Sequence, residues 1–168
     1  MTQTITQERL RELLTYNPET GIFTWNKPRP RCSTGLPAGG ITPFGYIRIN
    51  LERKPYQAHR LAWFYTHGRW PTCEIDHING DRADNRLINL REATPSQNQA
   101  NKAMRSDNTS GVKGVTWDKS RGKWVAAIHV NRKRISLGRY KDIEEAAAAY
   151  EAASSIHFGP YGRPERTI

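Results

Sequence analysis

The stretch from Lys102 to Ser110, KAMRSDNTS, is polar, rich in turn-forming residues and without apolar periodicity. A chain interrupted there cannot wrap one continuous core, so it must fill two smaller ones. Its apolar fraction agrees: 36% of 168 residues supports two shallow cores more readily than one deep core. Charge also divides at this point. Residues 102–141 hold 11 basic and 2 acidic side chains, whereas 1–101 hold 13 and 9, and 142–168 hold 2 and 5. We therefore place a first domain at 1–102, a linker at 103–110, a second domain at 111–161 and a tail at 162–168. The net charge of +10 points to a polyanionic partner, most simply nucleic acid. No run approaches the roughly 18 apolar residues of a membrane span. The opening MTQTITQERLRELL has no apolar signal core. The expectation is a cytoplasmic protein without a membrane partner, near DNA in a bacterial cell. Cys32 and Cys73 form no CxxC pair, which disfavours a disulfide scaffold or zinc cluster and reads as packing.

The pattern predicts an α+β chain. Thr6 can cap a helix whose Leu10, Leu13 and Leu14 share a face. Asn17 to Gly21 reads as a turn before a short strand at 22–25, and 27–43 reads as a loop. Residues 46–51 and 56–58 read as a hairpin, and 59–67 as an aromatic-rich helix stopped by Gly68. Strands at 73–77 and 89–92 flank Asn79-Gly80, and Thr94-Pro95 starts a helix to about Lys102. After 110 come three alternating segments, 113–118, 123–130 and 133–140. Asp142 then caps a helix with Ala146, Ala149, Tyr150 and Ala153 on one face.

Cutting a phosphodiester requires a base to activate water and a hard cation to stabilise charge at the phosphate. Asp76 and His77 stand together on the first short strand, and neighbours on a strand point to opposite faces, so a turn must re-aim one of them. Asn98 lies on the following helix. Asp76 and Asn98 could hold one Mg2+ or Mn2+ through oxygen. His77 could accept a proton at neutral pH, and Asn89 could tie the intervening loop. Singly each residue is ordinary: an Asp-His pair can be a solvated turn and a helical Asn a surface residue.

The joint spacing of Asp76-His77, Asn89 and Asn98 on strand, loop, strand and helix resembles the HNH, or ββα-metal, endonuclease family. The likeness covers residues 74–102, and Tyr46-Ile47-Arg48 and His59-Arg60-Leu61-Ala62-Trp63 resemble phage-borne and homing members. It implies a ββα-metal core preceded by the N-terminal helix and hairpin. It implies Asp76 and Asn98 as metal ligands, His77 as general base and Asn89 as a structural residue. His59, at a helix start, reads as packed on its neighbours.

The second half is basic and alternating, a three-stranded antiparallel sheet packed on one helix. With Val115, Trp117, Trp124, Ala126, Ile128, Ile135 and Leu137 turned to the helix, the opposite face carries Thr116, Asp118, Val125, Ala127, His129, Arg134 and Ser136. Such a sheet can enter the major groove. Gly114-Val115, Gly122-Lys123-Trp124, Leu137-Gly138 and Glu144-Glu145-Ala146-Ala147 resemble the plant Apetala/ethylene-response-factor DNA-binding domain, over residues 110–159. The resemblance implies docking through the sheet, with Lys113, Thr116, Arg121, Lys123, His129, Arg134 and Ser136 as DNA contacts. Thr116, Asp118 and Ser136 stand where the plant proteins mostly carry Arg or Trp, so the plant target is not carried over. Together the halves predict a metal-dependent nuclease acting on double-stranded DNA, a monomer that nicks or a dimer that cuts both strands. The alternative is a non-catalytic, sequence-specific DNA-binding regulator.

Overall fold

The computed structural model describes residues 5–28 and 33–163. Cys32 and most of the expected tail therefore lie outside the described residues. The chain divides into two compact units, 1–92 and 93–168. That division falls before the third helix and ahead of the expected linker. Both units mix helices with small antiparallel sheets, an α+β fold.

In the first unit, α1 (Gln7–Leu13) is capped by Thr6, whose side chain accepts from the Arg9 N–H at 3.2 Å. The helix ends one residue earlier than the leucine spacing predicts. Leu14 instead opens β1 (Leu14–Asn17), which pairs with β2 (Ile22–Trp25). The physical reason is cross-strand burial: Leu14 sits opposite Trp25 and Tyr16 opposite Phe23, and all four are buried. A short stretch of the presumed loop also pairs, as β3 (Gly40–Ile41) adds to β4 (Ile47–Leu51). β4 turns through Glu52 and Arg53, both at positive φ, into β5 (Lys54–Gln57). α2 (Ala58–His67) follows and stops at Gly68 in the left-handed conformation. Leu10, Leu14, Phe23, Ile49, Leu51 and Leu61 form the centre of the core. β6 (Glu74–His77) pairs with β7 (Leu90–Ala93), joined by a loop ending in a 3-10 turn at Leu87–Asn89. Cys73 is exposed, against the packing role expected of it.

The second unit begins with α3 (Pro95–Asn101), started by the reciprocal bonds of Thr94 and Gln97. Asn108 Oδ1 then accepts from the N–H groups of Ser110 and Gly111, so residues 108–111 form an ordered turn within the expected linker. β8 (Val115–Asp118), β9 (Lys123–Val130) and β10 (Lys133–Tyr140) follow in sheet order β10-β9-β8. α4 (Ile143–Phe158), capped by Asp142, lays Ala146, Ala147 and Tyr150 against that sheet. Alanine there lets helix and sheet approach closely. Gly114 lies at φ +75°, and an added Cβ would overlap the Tyr150 ring. Trp117, expected to be covered by the helix, is half exposed and leans on Trp124 at a centroid distance of 4.9 Å.

Candidate active site and nucleic-acid interface

β6 places Asp76 and His77 side by side, and both are only 4% exposed. The alternation of a strand separates their partners, so no turn is needed to re-aim either one. Asp76 meets Arg91 of β7, whose Nε donates to Oδ2 at 2.9 Å and whose Nη2 forms an ion pair with the same oxygen at 2.8 Å. His77 faces the loop and α2. Its Nε2 lies 3.4 Å from Asn85 Oδ1, and its ring meets that of His59 edge to face at 5.0 Å. Tyr46 leans on both imidazoles, at 5.3 Å from His59 and 6.0 Å from His77. Burial pushes the His77 pKa below the usual histidine range, and Asn85 and the nearby carboxylates oppose that shift. His59 is pushed down to about 3 by burial and by its His77 and Arg60 neighbours. Both rings are therefore neutral at neutral pH, and a neutral imidazole is able to accept a proton.

The loop between the strands is tied internally. Asn89 Oδ1 accepts from the Asn79 N–H at 3.0 Å, and Asn89 Nδ2 donates to Asp84 O at 2.8 Å. Arg86 clamps Asp84 with bonds of 2.8 and 2.6 Å and holds its carboxyl well below the usual range. The loop is also tied to the core: Tyr16 donates its hydroxyl to Asn85 O at 2.7 Å, and the Leu87 N–H donates to Pro18 O at 3.0 Å. Gly21, at φ +73°, lies so near the Asn85 and Arg86 backbone that any side chain there would collide. Thus β1 and its turn, which the leucine spacing hides, support the loop that carries Asn85.

The structure brings Asp76, His77 and Asn89 together in the first unit. Asn98 lies on α3, in the second unit, half-buried. Sequence reasoning missed Arg91 and Asn85, and it placed His59 as packed without identifying His77 as its neighbour. Arg91 could have been found as an inward position two residues past Asn89, whereas Asn85 lies in a loop and carries no periodic signal. Among the described residues no three His, Cys, Asp or Glu side chains cluster as metal ligands.

In the second unit, register defines the face away from α4. Thr116 pairs with Val125 and Asp118 with Lys123, and His129 pairs with Arg134 and Ala127 with Ser136. Thr116, Arg121, His129, Arg134 and Ser136 are exposed and Lys123 is half-buried. Lys113 is a correction. Its ammonium donates to the carbonyls of Ala100, Lys102 and Arg163, so it ties α3 to the backbone at Arg163 instead of facing outward. Arg139 is an addition. A bulge between Ser136 and Gly138 shifts the register, so Arg139 pairs with Val125 and joins the outward row. Strict alternation turns it inward; the one sequence signal was Gly138 inside a strand. Asp118 gathers Arg121 at 3.3 Å and Arg139 at 3.9 Å.

These two arrangements have counterparts among known proteins. A family model described as HNH endonuclease matches residues 56–100, across β5 to α3. An AP2 domain model matches residues 110–155. The chain thus has an HNH plus AP2-like architecture. It is 32% identical to Protein 3.8 of Escherichia phage T7 over 111 residues, 66% of this chain and 91% of that protein. An uncharacterised HNH endonuclease of Acanthamoeba polyphaga mimivirus is 30% identical over 120 residues, 70% of this chain and 62% of that protein. An AP2/ERF and B3 domain-containing transcription factor of Arabidopsis thaliana is 47% identical over 47 residues, 28% of this chain and 13% of that protein. No solved structure matches the chain. The two domain types imply binding to DNA.

Proposed function

We propose that this chain is a metal-dependent DNA endonuclease, a site-directed nicking or homing-type enzyme of phage or mobile-element origin, with His77 as general base. The observation that carries the reading is the buried Asp76–His77 pair, each member held by a partner of its own. His77, neutral at neutral pH, takes the proton from the attacking water. Asn85 and His59 orient its ring, and Asn89 holds the loop that keeps Asn85 in place. Arg91 fixes Asp76. Asp76 would hold one Mg2+ or Mn2+. Its carboxylate oxygens fit such an ion, which typically keeps several waters and takes only one or two protein carboxylates. Once bound, the ion would stabilise charge on the phosphate and the leaving oxygen.

In this reading the AP2 unit supplies address and affinity. Arg134, Arg139, Lys123, His129, Thr116 and Ser136 face the major groove, and Arg121 flanks them. One active site cuts one strand, so a monomer nicks and a double-strand cut takes two copies. The test is conversion of supercoiled plasmid to open circle with Mg2+ or Mn2+. We expect nicking that stops when a chelator is added. Intact plasmid under all metal conditions, with DNA binding retained, would support the regulator instead.

A further inference from the structure

Two large apolar side chains stand out beside the active site. At the turn joining β3 to β4, Phe44 is 75% exposed and Ile41 70% exposed. Neither belongs to the core of the first unit. The turn that carries them is firmly built. The Thr42 N–H donates to Tyr46 O at 2.7 Å, the Gly45 N–H to Thr42 O at 2.9 Å, and the Tyr46 N–H to Thr42 Oγ1 at 3.2 Å. Phe44 is then linked to the His59–His77 cluster. Its carbonyl accepts from Arg82 Nη1 at 3.0 Å, and the Arg82 guanidinium lies 5.1 Å over the Tyr46 ring. Tyr46 is the same ring that leans on His59 and His77. An exposed aromatic tip and the proposed base therefore sit on one continuous set of contacts.

We propose that the 42–45 turn is a DNA wedge: Phe44, backed by Ile41, inserts between stacked base pairs close to the phosphate that His77 serves. The position of the insertion relative to the cut rests on the nuclease reading; the insertion itself does not. The shape of the patch favours this occupant. Two apolar residues are far too small for a stable protein interface, but a single apolar side chain is enough to unstack a base step. The exposed Arg82 beside the turn and the exposed Arg48 on β4 suit the phosphates on either side of such a step. A pinned turn also loses little freedom on binding. Opening the stack kinks the duplex and exposes the backbone there, which aids attack in line with a phosphate.

The experiment uses the full chain with a chelator present, so that the DNA stays uncut. Relaxed closed plasmid is incubated with the protein and a metal-independent type IB topoisomerase, then stripped of protein and its linking number is measured. Gel shift sets equal occupancy for each variant. The wild type should lower the linking number as occupancy rises. Phe44→Ala should lose most of that change, Ile41→Ser a smaller share, and Phe44→Trp should retain it. The proposal is overturned if Phe44→Ala matches the wild type, if the wild type binds without changing the linking number, or if it does not bind at all. Nicking by the same preparation in Mg2+ separates the two readings. A linking change without nicking removes the nuclease reading and supports insertion, whereas nicking without a linking change removes insertion.

Discussion

The first unit hides its polar chemistry and the second displays it. Asp76, His77, His59, Asn85 and Asn89 are all buried, and Asp76, His77, Asn85 and Asn89 have named hydrogen-bond partners. Arg134, Arg139, Arg121 and His129 of the second unit are exposed. Burial is expensive for polar groups unless they are paired, and it is repaid where a proton must move from a defined atom. A surface that grips phosphates has the opposite need: long cations that stay solvated until DNA arrives. Under the proposed function, the difference separates a unit suited to a reaction from a unit suited to an address.

The largest break in this comparison should come from Asp76. Asp76→Ala removes the proposed cation ligand and leaves Arg91 charged, mostly buried and without its carboxylate, a change worth about 3–5 kcal/mol of stability. Equal melting of Asp76→Ala and wild type would show that the Arg91 pair is not structural. Next is Gly114→Ala, whose Cβ would meet the Tyr150 ring at a backbone angle that disfavours alanine. We expect roughly 3 kcal/mol or more lost from the second unit by denaturant unfolding; an unchanged midpoint would contradict the packing.

Acid should separate the units. The folded His59 value of about 3 lies below the ordinary 6.5, so the unfolded chain binds the proton first. Stability is complete above about pH 6.5 and falls as pH drops toward 3, by about 2 kcal/mol at pH 5. His77 adds in the same direction. In the second unit both described histidines, His129 and His157, are exposed. Hydrogen exchange at pH 5 should thus show the first unit opening before the second. The smallest effects distinguish two basic residues. Lys113→Met should loosen α3, seen as faster exchange, and leave the salt dependence of DNA binding unchanged. Arg139→Ala should reduce the salt slope by about 0.9 if it touches phosphate.

The ladder of the second unit was legible almost to the residue, because alternation and turn residues agree along β8 to β10. Thr94 and Pro95 announced α3 in the same way. The Asp76-His77 and Asn89 spacing was legible because a short hairpin keeps sequence neighbours together. What stayed hidden depended on distant partners. β1 forms because Leu14 and Tyr16 find Trp25 and Phe23, which outweighs the helical spacing of the leucines. Lys113 alternates as a surface residue, yet three carbonyls capture its ammonium. Arg139 changes face at a bulge. Asn85 gains its place from Tyr16, 69 residues away.

The division of labour is tested most directly by measuring nicking at saturating protein and DNA affinity on the same preparations of His77→Ala and Arg134→Ala. We predict that His77→Ala binds like wild type and nicks on the order of 10²–10⁴-fold more slowly. Arg134→Ala should bind more weakly and nick at nearly the wild-type rate once saturated. Equal loss of nicking in both variants, or nicking retained by His77→Ala, would contradict the account.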